Sequence, residues 1–140
     1  MRLRKTLLST LLLSFALINN ASAETASEKF DRAYQYTQQQ NYQAAFPIFK
    51  ELAEQGNENA QFNLGLMYAN GQGVRQDYLQ AVKWYQQAAE QGLAEAQVTL
   101  GIKYELGEGV RQNSATAKMW IGKACDNGLQ KACDLYKKLK

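Results

Sequence analysis

The sequence predicts an all-α fold, a right-handed α-solenoid of about three helix-turn-helix units. Three observations carry this expectation. Residues 56–77 lie over residues 92–113 without a gap, at a period of 36, and self-similarity at a fixed period of this size marks stacked repeats. Within each unit the apolar residues recur at helical spacing. Between the helices of a unit stand the loops GQGVRQD and GEGVRQN, whose paired glycines suit turns with positive φ.

Residues 1–23 read as a secretory signal peptide. Arg2, Arg4 and Lys5 precede an apolar run from Leu7 to Ile18, and Ala21 and Ala23 supply the small residues before a cleavage site placed after Ala23. The run of 12 residues falls short of the roughly 20 that a membrane-spanning helix requires, so no membrane anchoring is expected after cleavage. No cysteine precedes Cys125 to carry a lipid.

The remainder, residues 24–140, divides into units at 27–56, 57–92 and 93–128, with a C-terminal helix at 129–140. The first unit keeps the register through Tyr42/Tyr78, Ala45/Ala81 and Ala53/Ala89, but it lacks the glycine turn. In the second, Tyr78, Ala81, Val82, Tyr85, Ala88 and Ala89 lay one stripe along a helix face. Asp77 ahead of that helix, and Asn113 in the next unit, stand where N-caps are wanted. In the third, a helix from about Glu95 to Leu106 carries Ala96, Leu100 and Tyr104 in a row, and Gly101 leaves room for a close neighbour. Helix pairs of this kind bury their apolar faces only by stacking.

Charge and composition narrow the function. The full chain has a net charge of +3, yet residues 24–140 hold 13 Lys+Arg against 13 Asp+Glu. A neutral chain gives no electrostatic footprint for nucleic acid or an anionic membrane. The absence of His removes the commonest general base and the commonest nitrogen ligand for metals. No catalytic, cofactor or metal residue is assigned, and no cofactor is expected. Close carboxylates at Glu51/Glu54, Glu54/Glu58 and Glu105/Glu108 read as solvated helix faces and ends.

The string LGLMYANGQGVRQDYLQAVKWYQQAAEQG after Ala60 resembles the Sel-one-like repeat (SLR), a 36-residue variant of the tetratricopeptide repeat. It shows the LG..Y pair, the G.GV turn, the Trp-Tyr pair and the AA..G ending, and most of these recur between Ala96 and Gly128. The departures are Met119-Trp120-Ile121 and Ala124-Cys125. The first unit resembles a tetratricopeptide hairpin instead, through Ala33, Tyr34, Tyr42, Ala45 and Phe49. Altogether the resemblance covers nearly all of residues 27–140.

The resemblance implies a disulfide. Cys125 and Cys133 are the only cysteines, and the C-x7-C spacing is that of the family's cysteine-rich bacterial branch, where a bridge staples consecutive helices. An oxidising compartment favours the same reading, whereas a redox pair favours C-x-x-C and an electropositive setting. Closing nine residues contributes about 2.5 kcal/mol in the chain-entropy treatment.

The resemblance also places ligands on the concave face, at outward positions of the first helix of each unit. Carried over residue by residue, with Leu64 and Leu100 as anchors, these positions are Phe62, Leu66 and Asn70 in one unit and Val98, Ile102 and Glu105 in the next, with Arg32 and Tyr36 in comparable places in the first. Phe62, Leu66, Val98 and Ile102 then form either an apolar groove for a peptide or helix, or a face packed against neighbouring helices. Trp84, Tyr85 and Trp120 sit at framework positions and read as core.

The expectation is a monomeric periplasmic or secreted protein that binds another protein or peptide, as an adaptor or regulator in an envelope process. An immunity-type protein that neutralises a toxin effector is the alternative. β-Lactam hydrolysis, associated with cysteine-rich relatives, is weaker, because S-x-x-K, S-D-N and K-T-G are all missing.

Overall fold

The computed structural model describes residues 23–139. The expected signal peptide up to Ser22 lies outside the described residues. Seven helices follow in chain order among the described residues: α1 Ala26–Gln38, α2 Tyr42–Glu54, α3 Glu58–Asn70, α4 Tyr78–Glu90, α5 Ala94–Leu106, α6 Ser114–Asp126 and α7 Gln130–Lys138. Each packs mainly on its neighbours in sequence. The described chain is an all-α solenoid without strands, built from α1–α2, α3–α4, α5–α6 and a further helix α7.

Local chemistry sets the starts of the helices. Asp77 and Asn113 accept backbone N–H bonds from Gln80 and Thr116, both at 3.0 Å, as their positions predict. Asn41 and Asn57 do the same for Ala44 and Ala60, and Thr25 and Glu28 form a capping box on α1. The 36-residue register turns Asn57 into Leu93 and then Leu129. Those two starts have no side-chain cap, and each leucine instead packs on a core cluster.

The glycine loops tie one unit to the one before it. Gly109 has φ 70°, and a Cβ there would run into the carbonyl of Tyr78 at the start of α4; Gly73 is pressed in the same way against Tyr42 at the start of α2. A side chain is excluded at both points by backbone that cannot yield. Gln76 and Gln112 close their loops by donating to the carbonyls of Ala69 and Glu105 at 2.8 Å.

The core runs along the stack as three clusters. Phe49, Leu52, Leu64, Tyr85, Leu100 and Ile121 are the largest fully buried side chains. Gly101 lets α6 approach α5 so closely that an added Cβ would lie 2.6 Å from Ile121 Cγ1. Trp84 packs on the cluster formed by α2 and α3, and Trp120 joins the cluster formed by α4 and α5. Each tryptophan therefore covers the unit that precedes it, in keeping with the framework role expected of both.

Two buried glutamines run through this apolar interior. Gln61 is 3% exposed and Gln97 4%. Each donates its side-chain amide to a backbone carbonyl at the end of the preceding helix, Gln61 to Ala53 at 3.2 Å and Gln97 to Ala89 at 3.0 Å. Their Oε1 atoms accept from the end of the second helix of their own unit, Gln61 from Gln91 at 2.8 Å and Gln97 from Asn127 at 2.9 Å. A buried amide is tolerated because both ends are paired. In the same register, residues 89 and 97 become Cys125 and Cys133. These form the disulfide, with Cα atoms 4.6 Å apart.

Candidate functional site

The eight residues expected to meet a partner fall into different environments. Val98 is 6% exposed and belongs to the core with Ile121, Ala124 and Ala132, so it leaves the expected apolar strip. The reason is visible in its register partner Phe62, which is half-buried against Tyr85 with ring centroids 5.8 Å apart. This position faces the second helix of its own unit. A residue there presents at most an edge to the outside. Leu66 is likewise half-buried against the α4–α5 cluster. Burial pushes the Tyr85 phenol well above its usual value, so it stays protonated.

Ile102 differs, with 39% of its surface exposed. One turn further along α5, Glu105 is half-buried, and its Oε2 is buried without a hydrogen-bond partner among the described residues. Its register partner is Ala69, which is 8% exposed. A carboxylate therefore occupies a site that an alanine fills in the preceding unit, and a buried acceptor left unpaired costs about 1–3 kcal/mol. Asn70, at the end of α3, is exposed.

In the first unit, Arg32 is exposed and pairs with Glu24 through two hydrogen bonds at 2.8 and 2.6 Å. That bond holds the Glu24 carboxyl below its usual range and raises the Arg32 guanidinium. Tyr36 is half-buried against the α1–α3 cluster. Of the eight, then, Arg32, Asn70 and Ile102 are exposed, Tyr36, Phe62, Leu66 and Glu105 are partly covered, and Val98 is core.

Profile comparison matches the Sel1 repeat at residues 59–93 and 94–129. The chain belongs to the Sel1 repeat family. Three solved structures share the fold. A Sel1 repeat protein from Oxalobacter formigenes is 31% identical with a TM-score of 0.76, over 81% of this chain and 48% of that one. A protective antigen of uropathogenic Escherichia coli with an SLR fold is 37% identical with a TM-score of 0.75, over 84% and 26%. Helicobacter pylori cysteine rich protein B is 25% identical with a TM-score of 0.65, over 79% and 97%. The chain thus spans about half and about a quarter of the first two. A comparison with curated proteins gives no match.

This Sel1 repeat chain is a helical scaffold suited to protein–protein interaction. Among the described residues no group of His, Cys, Asp or Glu is placed to hold a metal ion, and no helix is long and apolar enough to cross a membrane. The disulfide and the cysteine-rich neighbour fit an extracytoplasmic protein.

The search for site residues by register missed the buried glutamines. Gln61/Gln97 was legible as an identity between units, but it did not mark an internal bond. It also missed the distribution of charge. Residues 24–113 hold 7 Lys+Arg and 11 Asp+Glu, whereas residues 114–140 hold 6 Lys and 2 Asp. The neutral total, from which no electrostatic footprint was expected, conceals a basic C-terminal end. Counting by unit would have shown it.

Proposed function

We propose that the chain is a secreted or periplasmic binding solenoid, acting without catalysis as an adaptor or regulator in an envelope process. Its partner meets the α3–α5 face. The observation that carries this is the pairing of exposed Ile102 with Glu105, whose inner oxygen has no donor among the described residues. A partner that covers Ile102 would remove its apolar surface from water and could pair with the accessible edge of Glu105. Asn70 and the edges of Phe62 and Leu66 extend the contact, with Arg32 and Tyr36 at the far end. The signal peptide at residues 1–23, the monomeric state and freedom from a membrane belong to the same reading.

The test is affinity capture from periplasmic extract with the mature chain, comparing wild type with Ile102→Asp. Phe62 is unsuitable for this purpose because its ring packs on Tyr85. Loss of one specific band, with an unchanged thermal melt, supports the reading. A band equally strong with the variant overturns this face, and no band with either protein favours a foreign partner, such as a toxin. Nitrocefin turnover above background by the purified chain would overturn the non-catalytic assignment.

A further inference from the structure

At the C-terminal end, α6 and α7 leave an open groove of about 430 Å³ walled by Lys118, Met119, Gly122, Lys123, Asp126 and Tyr136. The register explains why it is there. Residues 118 and 136 correspond to Val82 and Leu100, which are buried in the α4–α5 cluster that includes Trp120. One unit earlier, Trp84 packs on the equivalent cluster of α2 and α3. Among the described residues no third tryptophan continues the series. The groove is the next place along the stack where an indole would lie.

The end is not a generic continuation of the solenoid. Phe62 and Val98 become Asp134 in α7, and Gly65 and Gly101 become Lys137, so a full helix cannot pack there as α4 packs on α3. What remains open is the aromatic slot, in which two neutral positions have become cationic while Asp126 keeps the negative charge of Glu90. Val82 has become Lys118 and Gln87 has become Lys123. The Lys118 ammonium sits 5.2 Å from the Tyr136 ring centroid and the Lys123 ammonium 4.5 Å from that of Trp120. Both cations already rest on aromatic faces, so the groove pairs positive charge with aromatic surface.

Charge then selects the partner. Among the described residues every ion pair lies between Glu24 and Glu108; Lys118, Lys123, Lys131, Lys137 and Lys138 pair with no carboxylate. We propose that this end docks an acidic protein segment that presents a tryptophan or other aromatic side chain, with the ring in the groove and carboxylates on Lys118 and Lys123. The proposal rests on the binding-scaffold reading and adds a second surface to it, remote in sequence from Ile102.

The probe is an N-acetylated pentapeptide with one tryptophan between two pairs of glutamates, titrated into the ¹⁵N-labelled mature chain and followed by amide shifts. Saturable shifts clustered at Lys118, Gly122, Lys123 and Tyr136 are expected. Replacing the peptide tryptophan with alanine, or its glutamates with lysines, should weaken binding at least tenfold. Lys118→Glu/Lys123→Glu should do the same, as should the milder Lys118→Gln/Lys123→Gln if charge reversal disturbs the melt, while Ile102→Asp should leave the titration unchanged.

The proposal is overturned by an absence of saturable shifts, by shifts centred on α3 and α5, or by binding that survives the lysine substitutions. Equal binding of the alanine peptide, or of an oligothymidylate, would reduce the surface to bare charge and also overturn it. The two surfaces fail separately. A captured partner lost with Ile102→Asp but retained by Lys118→Glu/Lys123→Glu leaves the proposed function standing without this site in its contact.

Discussion

The interior units and the C-terminal end close the same joint by different chemistry. In the interior, a helix end is tied to the first turn of the next helix by a glutamine amide on a carbonyl, Gln61 on Ala53 and Gln97 on Ala89. At the end of the stack, the equivalent residues are Cys133 and Cys125, joined by a disulfide. The interior amide works because a neighbour finishes its hydrogen bonding. Gln91 and Asn127, each from the end of the second helix of the same unit, donate to the Oε1 of Gln61 and Gln97. Among the described residues no helix follows that of Cys133. A glutamine there would keep one partner and lose the other, whereas a covalent bond needs no neighbour.

The largest effect expected from breaking this comparison is at the end. Cys125→Ser/Cys133→Ser should lose about 2.5 kcal/mol in urea unfolding, the loop-closure value. Hydrogen exchange should show the loss first in α7, which packs mainly on α6. Uniform loss of protection through α3–α5 would mean that the bridge stabilises the stack as a whole.

In the interior, Gln97→Met keeps the bulk and removes both hydrogen bonds. It should cost about 2 kcal/mol, because the Ala89 carbonyl and the Asn127 amide lose their shared partner. A cost near zero in the same unfolding measurement would show that water replaces the amide without penalty. Asn127→Ala removes only the outer donor from an exposed position, and about 1 kcal/mol is expected there.

Much of this architecture was legible in advance. The period, the helix pairs, the caps at Asp77 and Asn113 and the cysteine bridge all follow from residues that recur or from signals that are local. Gln61 and Gln97 were visible as recurring residues, but their role depends on carbonyls and amides supplied by three different helices. Val98 was misplaced for a similar reason. Its outward register position is covered by Ile121, Ala124 and Ala132, so exposure depends on what a neighbour brings, and Ile102, four residues on, escapes that cover. The groove at α6–α7 escaped notice because an average over the chain erased the difference in charge between its two ends.

The smallest effect is the most discriminating. Cys125→Ala/Cys133→Gln installs the interior solution at the end of the stack, with alanine and glutamine as at positions 89 and 97. If the joint is equivalent, the glutamine amide reaches the carbonyl of residue 125 and restores one hydrogen bond. Among the described residues none stands where Asn127 stands for Gln97, so the Oε1 has no protein donor there. The variant should therefore exceed Cys125→Ser/Cys133→Ser by about 0.5 kcal/mol, the lower end for one net hydrogen bond. Recovery of the full disulfide contribution in urea unfolding would show that the outer amide is dispensable throughout the stack. No recovery, with an intact helical signal, would show that the cysteines occupy a joint of different geometry.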